Sequence, residues 1–242
     1  MNFWNFFFRL EEDNFKFKQF GRVHLIMLFI MIAGALSIYV HRQKIRENKG
    51  LRKILDGAFL LIILLQQSMF LYFYFVLSPM DFKNGLPLYT CRIALYTTFF
   101  GILFNSSNLK SATIYLGLAG GIVPMIIPDL QAYAFPHILY VSFFITHLSV
   151  FWASLMFLIV DEYTFDRSGF IFMCKFTNAV LATGVVVNML FDANYAYLSY
   201  PPVFRDFFES LPQILYLFIV ATAYNLANFI IYRIGSKFKN NP

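Results

Sequence analysis

Residues 23–40 read Val-His-Leu-Ile-Met-Leu-Phe-Ile-Met-Ile-Ala-Gly-Ala-Leu-Ser-Ile-Tyr-Val, a run with no Asp, Glu, Lys or Arg. A helix needs about 20 such residues to cross the hydrocarbon of a bilayer. Strands of a membrane barrel alternate apolar and polar over roughly 10 residues, and this run does not alternate. Lipid offers no hydrogen bonds to an open backbone, so the helix, which satisfies its own, is the remaining solution.

Six further runs read the same way, at 54–77, 86–104, 111–127, 137–160, 171–191 and 211–232. The expected fold is therefore all-α: a polytopic membrane bundle of about seven transmembrane helices. Residues 1–22 are expected to form an interfacial amphipathic segment, 23–235 the bundle and 236–242 a basic tail. Composition agrees. Of 242 residues, 59% are hydrophobic and 13% charged, against about 45–50% and 25% in soluble domains. A soluble globular fold and a disordered chain are both excluded.

The net charge is +6, and the basic residues sit beside the apolar runs. That is the pattern of loop charges setting membrane orientation rather than of a nucleic-acid surface. Six of the nineteen Lys and Arg fall between His41 and Lys53, and Arg233, Lys237 and Lys239 follow the last run. The first loop and the C-terminus are thus expected in the cytoplasm and the N-terminus outside. Phe6-Phe7-Phe8 is too short for a signal peptide core, and Trp4 with its Phe neighbours suits the headgroup region. Membrane lipids are the expected partners. No cofactor or metal is called for.

In the fourth run Gly117 and Gly121 make a small-xxx-small face, suited to close helix–helix association. Pro124 and Pro128 loosen and end that helix.

Polar residues inside a membrane are costly, so each invites a functional reading. On this topology His24, Cys91, Arg92, Asp129, His137, His147, Asn188, Asp192 and Asn194 share the outer half, which suggests an outward-facing polar pocket. Arg92, Asp129, Asn188 and Asn194 are its candidate substrate-binding residues. Blander readings stand beside these. His24 and His137 lie near helix ends, Asp129 follows Pro128 in a turn, and Asn188 suits interhelical bonding. His147 lies about 15 Å along the fifth run at 1.5 Å per residue, where a neutral packed histidine or a general base is possible chemistry.

Cys91 opens the third run. Buried cysteine is commonly an inert small hydrophobe. Here Arg92 is adjacent and the helix N-terminus adds its dipole, so positive charge lies beside the sulfur. A Cys nucleophile with a His base is an acyl-transfer pair. Working together requires the third and fifth runs to be neighbours, facing one cavity. Counting residues puts Cys91 and His147 about 7–8 Å apart in depth, which helix tilt must absorb. Cys174, beside Lys175, is expected to be structural. No HExxH helix, no Lys in the last run and no row of Arg is present, which excludes a zinc protease, a retinal Schiff base and a voltage sensor.

Leu86-Pro87-Leu88-x-x-Cys91, then Pro128-Asp129-Leu130, Phe135-Pro136 and Phe143-Phe144-Ile145-x-His147, then Asn194-Tyr195-x-x-Leu198-x-x-Pro201 occur in one order. This ordered set resembles the bacterial YwaF-like integral membrane proteins, which are similar to the eukaryotic transmembrane protein 164 acyltransferase group. The resemblance implies a multi-pass protein of a bacterial cell membrane that transfers lipid acyl chains. It implies Cys91 as the acyl-accepting nucleophile and His147 as its base. Where that group carries other residues, this chain has Tyr89 two positions before the cysteine and Arg92 after it. Two other readings stay open: a small-molecule carrier or the substrate-binding membrane subunit of a transporter, and a non-catalytic scaffold.

Overall fold

The computed structural model describes residues 2–202 and 204–238, so Lys239 and the rest of the expected basic tail beyond it lie outside the described residues. Nine α-helices and no strand occur among the described residues: α1 Phe3–Phe7, α2 Arg22–Glu47, α3 Lys49–Tyr72, α4 Thr90–Leu103, α5 Ser107–Ile126, α6 Ile138–Leu155, α7 Arg167–Phe191, α8 Arg205–Glu209 and α9 Gln213–Phe238. Helices α3 and α6 each end in a π-helical turn, Phe73–Leu77 and Met156–Val160. Among the described residues six helices are long and apolar enough to span a membrane.

The third expected span is the exception. It does not run over 86–104; α4 has 14 residues and reaches only about 21 Å at 1.5 Å per residue, short of a hydrocarbon core of about 30 Å. The cause is local. Pro87 has no N–H to give a helix and pushes Leu86 out of the helical region, so the chain from Ser78 to Tyr89 is non-helical. Asn105, at φ 48°, stops the helix, and Ser106 caps the next by accepting from Leu109 N.

The basic stretch 41–53 is not a loop either. Helix α2 runs through it to Glu47, and α3 begins at Lys49. Asn48, in extended conformation, makes the break and caps α3 by accepting from Leu51 N at 2.9 Å. The charges are then fixed by ion pairs: Arg46 with Glu162 at 2.6 Å, Lys110 with Asp161 at 2.7 Å, and Arg52 with both Asp56 and Asp161. Arg46 also donates to the carbonyls of Ile159 and Val160 that end α6. The α2–α3 break, the start of α5 and the end of α6 therefore meet at one end.

Two compact units divide the chain. The first comprises Met1–Asp81 and Cys91–Tyr163, the second Phe82–Thr90 and Thr164–Pro242. In the first, α6 is central, packed by α5, α3 and α2. Small residues let these helices close up. The faces of Gly117 and Gly121 lie on α6 of the same chain: a Cβ on Gly117 would lie 3.0 Å from Val150 O and one on Gly121 2.8 Å from Phe151 Cβ. Gly34 of α2 likewise sits beneath the Trp152 indole, whose Nε1 donates to Met31 O at 3.1 Å.

In the second unit α7 packs on α9. Asn178 and Asn225 exchange a reciprocal pair of amide bonds at 3.1 Å, and Asn228 donates to Thr177 Oγ1. Such pairing is how helices satisfy amides within lipid.

Candidate functional site

The polar residues expected to share one outer pocket separate into groups with different tasks. His24 and His137 belong to a clamp. Residues 8–20 form an irregular, non-helical segment that lies on the turn between α5 and α6. Asp13 N donates to Ala132 O at 2.9 Å and Asp13 Oδ2 accepts from Ala134 N at 2.7 Å. Arg9 donates to Ala134 O and Pro136 O and pairs with Asp13. That hydrogen bond from Arg9 holds the Asp13 carboxyl below its ordinary pKa. His137, fully buried, donates from Nε2 to Arg9 O and accepts Leu139 N on Nδ1. His24, also fully buried, donates from Nε2 to Met125 O and accepts Phe20 N on Nδ1. With both ring nitrogens engaged, neither is placed to move a proton. Asp129 is exposed on the same turn.

Asn188 and Asn194, expected to bind substrate, are turned inward in the second unit. Asn188 brackets Tyr195, accepting from its N at 2.8 Å and donating to its O at 3.1 Å. Asn194 accepts from Ser199 N and Tyr200 N and donates to Tyr200 O. Their amides brace a turn in which Asp192, Ala196 and Tyr197 have positive φ. Asp192 itself is exposed and bonds Lys83 Nζ at 2.8 Å. Tyr195 OH ties in the Pro87 segment, donating to Phe82 O and accepting from Leu86 N.

Cys91, Arg92 and His147 form the third group, all in the first unit. The N-terminal turn of α4 enters where α3, α5 and α6 meet. Cys91, a free and half-buried thiol, lies with its backbone against α5: a Cβ on Gly120 would lie 3.8 Å from its Cα and N. Arg92 turns the other way. Its guanidinium donates to Gln67 Oε1 of α3 at 2.7 Å and to Ser142 Oγ of α6 at 3.3 Å. It also lies 3.2 Å from the Phe70 ring centroid, a cation–π contact. The guanidinium is thus folded onto α3 and α6.

His147 is the tenth residue of α6. Its Nδ1 bonds Phe143 O at 2.6 Å. A carbonyl only accepts, so Nδ1 carries the proton and Nε2 keeps its lone pair. Nε2 has no hydrogen-bond partner among the described residues. Of the three buried histidines, His147 alone keeps a free basic nitrogen.

Four further polar residues surround this group. Gln66 and Gln67 on α3, and Ser142 and Thr146 on α6, are all buried. Gln66 donates to Ser142 Oγ. Gln66 Oε1, Gln67 Nε2 and Thr146 Oγ1 are buried without a hydrogen-bond partner. The sequence signal was there: two consecutive glutamines interrupt the apolar run Phe59–Phe70. Without the neighbouring helices they give no sign of facing inward.

Residues 19–232 match the model of the TMEM164 family. No curated protein and no solved structure matches the chain. The match covers most of the chain, which belongs to the TMEM164 family and is a multi-pass membrane protein.

Proposed function

We propose that this TMEM164-family membrane protein transfers acyl chains between lipids at the cell membrane, with Cys91 as nucleophile and His147 as base. The observation that carries the reading is the uncommitted Nε2 of His147, on a residue whose backbone meets α5 at Gly121, next to Gly120 where Cys91 lies. Cys91 Sγ gives up its proton to His147 Nε2 and attacks the carbonyl carbon of an acyl ester. The tetrahedral intermediate collapses, the ester C–O bond breaks, and the departing alkoxide takes the proton from His147. The acyl group remains as a thioester on Cys91. An acceptor hydroxyl then repeats the steps in reverse, with His147 taking its proton and Cys91 leaving. Arg92, next to Cys91 in the chain, supplies positive charge that favours the thiolate.

A test is mass spectrometry of Cys91 after incubation with phospholipid vesicles. A mass increase of one acyl chain on Cys91 is expected, absent in Cys91→Ala and much slower in His147→Ala. Lipid profiles of a deletion strain that are restored equally by wild type and Cys91→Ala would end this reading. A carrier or scaffold would then be left.

A further inference from the structure

The three unpartnered polar atoms of Gln66, Gln67 and Thr146 lie on α3 and α6, in the cluster that Arg92 and Ser142 join. Thr146 is the covalent neighbour of His147. Gln67 is bonded to Arg92, the covalent neighbour of Cys91. Ser142 joins them, being bonded to Gln66 and Arg92 and one helical turn from Thr146 on α6. A buried donor without a partner is destabilising in protein and more so in lipid. A fold that keeps two of them in the cluster around Arg92, the residue after Cys91, calls for a ligand that is absent at rest.

The tetrahedral intermediate of acyl transfer is such a ligand. When the S–C bond forms, the carbonyl π pair moves onto oxygen, and that charge exists only until the C–O bond breaks. Donors aimed at it have nothing to bind in the resting state and need no reorganisation when it forms. We propose that Gln67 Nε2 and Thr146 Oγ1 are the hydrogen-bond donors to this oxyanion, with Ser142 as the positioning residue that sets Arg92 alongside. The proposal rests on the Cys91–His147 reading above. Gln66 Oε1 can only accept, so it is no oxyanion donor.

The experiment uses the full-length protein in nanodiscs and palmityl trifluoromethyl ketone, which adds to a thiol to give a stable tetrahedral oxyanion. Thr146→Val is the informative variant, since its hydroxyl bonds nothing in the fold and the shapes match. Gln67→Glu keeps the size and the acceptor for Arg92 but loses the donor. Each is expected to weaken the ketone at least tenfold and slow Cys91 acylation about 10²-fold, while Thr146→Ser stays near wild type. Thermal stability of Thr146→Val should be equal or higher, which a structural role for the hydroxyl would not allow. Ketone binding unchanged in both variants overturns the oxyanion assignment and leaves the Cys91 reading standing. Equal binding by wild type and Cys91→Ala, or none by either, overturns both.

Discussion

Cys91 and His147 stand at one height along α5. A Cβ on Gly120 would lie 3.8 Å from Cys91 Cα, and one on Gly121 would lie 3.1 Å from the His147 carbonyl oxygen. Consecutive helical residues differ by about 1.5 Å in height and about 100° in direction. The two glycines therefore present adjacent faces of one helix, one to Cys91 and one to His147.

Gly121→Ala should separate α5 from α6, because its Cβ would also lie 2.8 Å from Phe151 Cβ. The expected cost is about 1–3 kcal/mol, read as a lower melting temperature, together with slower acylation of Cys91. Gly120→Ala makes only ordinary contact and should melt and react close to wild type. Equal behaviour of the two variants would contradict the close approach of α5 to α6.

Arg92→Lys keeps the charge but not the planar fork that reaches Gln67 and Ser142 together. Acylation of Cys91 should fall by at least tenfold while the helical content by circular dichroism is unchanged. A variant as fast as wild type would show that charge alone is needed.

Asn194→Ala strands two backbone N–H groups and one carbonyl of the turn after α7. Each lost bond is worth about 0.5–1.5 kcal/mol, so a marked drop in melting temperature is expected. The KM for lipid should not move. A raised KM at wild-type stability would return Asn194 to the substrate.

The strap of residues 8–20 should loosen in acid. The Asp13 carboxyl is held below its ordinary pKa by the hydrogen bond from Arg9. A carboxyl depressed in the folded state stabilises above its unfolded pKa, and that stability is lost as pH falls through the lower folded value. Hydrogen exchange at Ala134 N, which bonds Asp13, should accelerate relative to its intrinsic rate only below about pH 4. Asp13→Asn should remove this pH dependence. Protection that changes instead between pH 5 and 8 would mean another group holds the strap.

Span 23–40 could be read from the chain alone because its cause is local. An uncharged apolar run longer than a few turns has one stable form in lipid, wherever its neighbours lie. The all-helical class and the membrane setting follow from that, and so does the candidacy of Cys91 and His147 on family motifs. Residue counting placed those two at different depths because it assumed that both runs start at the same membrane surface; α4 is instead a 14-residue helix that starts at Thr90 after a non-helical segment. Partnership is not local. His24 bonds a carbonyl 101 positions away, and His137 one 128 positions away. Three histidines in similar apolar surroundings thus became two clamps and one free base only when distant backbone reached them. Asn194, by contrast, takes partners only five and six positions along the chain. The buried histidines take whichever partner the packed chain brings within about 3 Å, and that is a property of the tertiary structure alone.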